Sequence, residues 1–84
     1  MSVPVQHLPG RSRFEAVVDG VTAYLSYERG EGAVVMTHTI VPAPIGGRGV
    51  AGDLTCTAVA WAREQGLTVD PQCSYVRSWL AKQP

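Results

Sequence analysis

The chain has 84 residues, 45% of them hydrophobic and 17% charged, and its seven basic and seven acidic side chains cancel to a formal net charge of zero. That length fits one small domain in which burial alone gives marginal stability. The balanced charge leaves no basic stripe for nucleic acid and no Lys/Arg block for an anionic membrane; with no transmembrane run and no apolar signal segment in the sequence, a soluble, cytoplasmic protein is expected.

Residues 1–12 hold two prolines, a glycine and no periodicity, so they read as a flexible N-terminal arm ahead of a single domain over residues 13–84. From Phe14 the chain alternates, with Phe14, Ala16 and Val18 on one face before the dipeptide Asp19-Gly20. Asp-Gly between two such runs signals a hairpin, because both residues tolerate positive φ. "VTAYLSYE" then sets Val21, Ala23, Leu25 and Tyr27 on one face, "RGEG" turns the chain again, and "AVVMTHTIV" over residues 33–41 is a third, β-branched strand. The expectation is a three-stranded antiparallel meander.

"PIGGRGVAGDL" follows, with four glycines and one arginine at the mouth of an apolar helical pattern. The helix is expected from residue 49 or 50 to residue 65, with Val50, Leu54, Ala58, Trp61 and Gln65 along one side and Ala51 and Ala62 beside them. Gly66 stops it, "LTV" over residues 67–69 suits a fourth strand parallel to the third, and "SYVRSWLAKQ" has helical spacing at Tyr75, Val76, Trp79 and Leu80 with Ser74 as N-cap. The order is βββαβα, an α/β (α+β) unit without internal repeat. Cys56 and Cys73 lack the spacing of a zinc site, and no metal is expected. In a reducing compartment each is a free thiol.

Glycine at a helix start lets an anion reach unpaired N–H groups at the positive end of the helix dipole. A P-loop would need Lys-Ser/Thr after the last glycine, where this chain has Val50-Ala51. Gly47, Gly49 and Gly52 do fit G-x-G-x-x-G, and Asp70 lies near the spacing of a ribose-binding acid. Five residues separate those glycines from their strand, however, and the chain is too short for two mononucleotide halves.

"VPAPIGGRGVAGDL" resembles motif A of the GNAT superfamily of acetyl-CoA-dependent N-acetyltransferases, written Q/R-x-x-G-x-G/A, with Gly46 at the Q/R position, Gly49 at the glycine and Ala51 at the final small residue. "HT-x-VP" from His38 and "P-x-C-x-YV" from Pro71 are similar to a very small GNAT-like branch of about this length. The resemblance implies a minimal GNAT-like fold that binds acetyl-CoA and transfers its acetyl group to an amine acceptor. It implies backbone contacts to the CoA pyrophosphate from Gly46, Gly47, Arg48, Gly49, Val50 and Ala51, and pairing of the pantetheine arm with the strand end at Thr39, Ile40 and Val41.

Acetyl transfer requires an oriented thioester, a polarised carbonyl, a base for the amine and an acid for the leaving thiolate. Cys73, between the fourth strand and a helix N-terminus that lowers a thiol pKa, is a candidate nucleophile; a small buried hydrophobe is the plainer role. His38, on the strand that meets the thioester, is a candidate base, against an ordinary structural histidine. Tyr75 falls on the helix that supplies a general-acid tyrosine in many GNAT enzymes, against a packed ring. Arg48 fits either a CoA phosphate or open solvent, and Cys56 reads as incidental. The alternative to an enzyme is a non-catalytic CoA-binding or partner-binding module, completed by a homodimer mate or another chain.

Overall fold

Alternating apolar residues give the sheet one face that water must be excluded from, and the helices close that face. The computed structural model describes residues 4–83. Its strands are β1 (Gln6–Leu8), β2 (Arg13–Val18), β3 (Val21–Gly30), β4 (Ala33–Ile40) and β5 (Thr68–Pro71), and its helices are α1 (Val50–Glu64) and α2 (Ser74–Ala81). One sheet has the order β1-β2-β3-β4-β5, antiparallel throughout except for the parallel β4–β5 pair. The meander, the crossover helix and the terminal helix stand as the patterning predicts.

Phe14 and Ala16 of β2, Ala23, Leu25 and Tyr27 of β3, and Val34 and Met36 of β4 are buried on one face. Against them pack Val50, Leu54, Ala58, Val59 and Ala62 of α1 and Val76 of α2, so both helices share one core. Val50, Leu54, Ala58 and Ala62 of α1 are buried as expected, joined by Thr55 and Val59, whereas Gln65 is exposed and Trp61 is half-buried against the core.

Trp61 also packs against an element that the sequence pattern does not announce. Residues expected as a flexible arm contain β1, which pairs with β2 through Gln6↔Glu15, His7↔Phe14 and Leu8↔Arg13. The His7 ring stacks on Phe14 at 4.1 Å and meets Trp61 edge-on at 4.8 Å, and its Nε2 lies 2.6 Å from the Tyr27 hydroxyl. These aromatic contacts hold a strand too short to hold itself. Met1, Ser2 and Val3, also placed in that arm, lie outside the described residues.

Two smaller boundaries move. β5 runs through Asp70 and Pro71, beyond the expected 67–69, and the N-cap of α2 is Cys73, one residue before Ser74. Pro71 can end this strand because it sits at its last position, where a missing N–H costs little.

Candidate active site

The parallel β4–β5 ladder stops short beside the residues that the sequence singles out as candidates. The parallel ladder runs Ala33↔Thr68, Val34↔Val69, Val35↔Asp70 and Met36↔Pro71, and there β5 ends. The Cys73 N–H closes the last bond between the two segments, donating to the Met36 carbonyl at 3.0 Å. β4 continues through Thr37, His38, Thr39 and Ile40, held on its other edge by Tyr24↔Ile40, Leu25↔Thr39 and Ser26↔His38. Past Met36 its outer edge has no strand partner among the described residues.

A β-bulge lies at the same level. Tyr27 faces Met36 and Ser26 faces His38, so Thr37 is the extra residue. Its Oγ1 donates to the Ser26 carbonyl at 3.2 Å and lies 2.9 Å from Ser26 Oγ. A bulge bends its strand and re-aims the residues that follow it. No glycine or turn residue in "VVMTHTI" marks this bulge, and sequence reasoning missed it.

Beyond the end of β4, the chain makes a 3-10 turn at Ala43–Ile45, anchored by the fully buried Ile45, and then enters the glycine loop. Gly47 and Gly49 have φ of 78° and 79°, a region that residues with a Cβ rarely adopt. A Cβ at either position would meet nothing within 4 Å, so the approach to the backbone is clear. Gly46 differs: its Cβ would lie 3.3 Å from the Ala43 carbonyl oxygen. Gly49 caps α1 without a side chain, and the first intrahelical bond runs from the Asp53 N–H to the Gly49 carbonyl. The N–H groups of Val50, Ala51 and Gly52 come before that bond and point out of the helix end. This donor set suits a diphosphate.

Arg48 does not project freely from the loop. Its guanidinium pairs with Asp19 in the β2–β3 turn, and both side chains are more than half exposed.

Cys73 is half-buried, packed against the core where the β4–β5 pairing ends, with its Sγ 3.4 Å from Thr39 Oγ1. Burial pushes its thiol pKa up. The Thr39 hydroxyl and the backbone N–H groups of Val76, Tyr75 and Thr39 outweigh burial and hold the thiol below its ordinary value. Of these contacts, the one to Thr39 Oγ1 has regular hydrogen-bond geometry; the N–H groups of the α2 first turn face the sulfur without closing a side-chain cap.

The structure thus brings Thr39, Cys73 and the first turn of α2 together. His38 is exposed and lies opposite Ser26, so it occupies the sheet face turned away from Thr39 and the helices. Ile40 is 45% exposed and Tyr75 40% exposed, both at the rim. The Tyr75 hydroxyl lies over Gly52 in the first turn of α1, next to the glycine loop. Val41 is half-buried against the core, and Cys56 is exposed on the outer side of α1.

A mixed sheet whose parallel β4–β5 pair ends before β4 does, beside a glycine-capped helix, defines a minimal GNAT-like α+β fold. The family model described as GCN5-related N-acetyl-transferase matches residues 13–84, and the chain belongs to that family. It is similar to Protein NATD1 of Xenopus tropicalis, with 31% identity over 86 residues that cover 99% of this chain and 79% of the relative.

Proposed function

We propose that this protein binds acetyl-CoA and transfers its acetyl group to an amine. The observation that carries the reading is the unpaired edge of β4 beyond the end of β5, beside a glycine-capped helix start and next to the Cys73 thiol. The glycine loop, Gly46 to Ala51, receives the pyrophosphate on its backbone N–H groups, with Arg48 released from Asp19 to meet phosphate charge. The outer edge of β4 at Thr39, Ile40 and Val41 pairs with the pantetheine amides as a missing strand would. In the cell, the free thiols Cys56 and Cys73 fit a reducing, cytoplasmic location.

Cys73 attacks the thioester carbonyl as a thiolate; its sulfur forms the new bond to the acetyl carbon, and the bond to CoA sulfur breaks. Tyr75 protonates the departing CoA thiolate and regains its proton from solvent. The amine then attacks acetyl-Cys73, loses its proton to solvent, and Cys73 leaves as the thiolate it began as. Backbone N–H groups that converge on this point stabilise the thiolate, and such donors also stabilise an oxyanion. His38, expected as a candidate base, stands on the sheet face opposite Cys73 and takes no part in this step.

A second reading, a CoA-binding module completed by a partner chain or a second copy, is favoured by Ile40 and Tyr75, apolar surfaces exposed at the rim. Calorimetric titration with acetyl-CoA and NAD, followed by an assay of CoA release over an amine panel, separates the two. The enzyme binds acetyl-CoA in preference to NAD, releases CoA faster than spontaneous hydrolysis, and loses binding in Gly49→Val. Cys73→Ala loses turnover while keeping CoA affinity, and intact-protein mass spectrometry finds an acetyl adduct on the wild type that the variant lacks. Binding without release supports the module; turnover with no adduct and an active Cys73→Ala means direct attack by the amine.

A further inference from the structure

Cys73 is fixed from two sides, and only one of them is backbone. Its N–H on the Met36 carbonyl sets where the residue stands, at the last rung between β4 and the chain leaving β5. Its sulfur is set by a residue 34 positions earlier in the chain. Thr39 lies opposite buried Leu25, so its side chain rises on the helix face, where the first turn of α2 begins. His38 takes the other face, and Thr37 is occupied with Ser26, so neither competes for the sulfur.

We infer that Thr39 is the positioning residue for the Cys73 sulfur: its hydroxyl, 3.4 Å from Sγ, holds the sulfur where the β4–β5 pairing ends and donates a hydrogen bond to it once the thiol has lost its proton. This deepens the reading above and rests on it for its catalytic meaning. In the thiol form, Cys73 donates to Thr39 Oγ1. On ionisation that donor is gone, and the threonine O–H rotates to donate instead, a charge-assisted bond stronger than the one it replaces. The lowered thiol pKa is in keeping with this reversal, after burial has pushed the other way. A threonine that only filled space would be replaced by valine, of the same shape, without consequence for the sulfur.

The test is the pH profile of Cys73 alkylation by iodoacetamide in the full chain without CoA, followed by peptide mass mapping so that exposed Cys56 is read separately. Thr39→Val is expected to raise the midpoint of the profile by about one pH unit. Below both midpoints, the tenfold loss of thiolate is offset in part by its greater intrinsic nucleophilicity, so the rate falls about threefold. Thr39→Ser, which keeps the hydroxyl, returns the midpoint to the wild-type value. Circular dichroism establishes that both variants fold. An unchanged midpoint in folded Thr39→Val overturns the inference, as does a Thr39→Ser midpoint equal to that of Thr39→Val. The enzymatic reading fails separately: a fully active Cys73→Ala removes the covalent route, whereas the alkylation profile still decides whether Thr39 governs the sulfur.

Discussion

The hydroxyl of Tyr75 on α2 lies 3.4 Å from the point where a Cβ on Gly52 of α1 would stand. That is ordinary van der Waals distance, so an added methyl would touch the tyrosine without displacing it. Gly52 has no positive φ, and glycine inside a helix costs roughly 0.5–1 kcal/mol relative to alanine. Helix propensity therefore outweighs the contact. Gly52→Ala is expected to stabilise the fold by about 0.5 kcal/mol and to raise the thermal midpoint by about 3 °C. A lowered midpoint by calorimetry would show that Tyr75 is packed more rigidly over α1 than its 40% exposure indicates.

The Arg48–Asp19 pair ties the glycine loop to the β2–β3 turn, yet both side chains are mostly in water. Exposed pairs contribute about 0–1 kcal/mol and are screened by salt. Asp19→Asn should leave the thermal midpoint nearly unchanged, while Arg48→Ala should weaken CoA binding several-fold, and less so at high salt. Equal affinities of wild type and Arg48→Ala in low-salt calorimetry would confine Arg48 to its aspartate.

His7 makes the pH dependence of stability predictable in sign. Burial among Phe14, Tyr27 and Trp61 disfavours the imidazolium and lowers the His7 pKa in the fold. As pH falls below about 6.5, the unfolded chain takes up this proton before the folded one does, so stability declines toward the lower folded value. Thermal midpoints between pH 7.5 and 5 should fall more steeply in the wild type than in His7→Phe. Parallel slopes would contradict the burial of the ring.

Much of this architecture was legible in alternation. Phe14, Ala16, Ala23, Leu25, Val34 and Met36 announce the faces of the meander, and the glycines announce the helix start. β1 was not legible, because its three residues, lying between Pro4 and Pro9, show no period; what orders them is a set of rings contributed by β2, β3 and α1. Trp61 keeps the sheet-facing side that helical spacing draws, where it meets Phe14, Tyr27 and the unforeseen His7. The bulge at Thr37 changes the pairing without any residue that marks it. Motif spacing placed Cys73 after a strand and before a helix, but its approach to Thr39 arises only when β4 and α2 meet. Asp19 and Arg48 likewise belong to separate turns until the sheet folds.

On the proposed function, CoA lies along the unpaired edge of β4 with its pyrophosphate on the start of α1. Amide chemical-shift mapping of the 15N-labelled chain during titration with CoA tests it most directly. Saturable shifts are expected at the amides of Thr39, Ile40 and Val41 and at those of residues 46–51, with the β1–β2 edge unmoved. Saturable shifts confined to the opposite sheet face, around Glu15, Val17 and Tyr24, or no shifts at millimolar CoA, would contradict it.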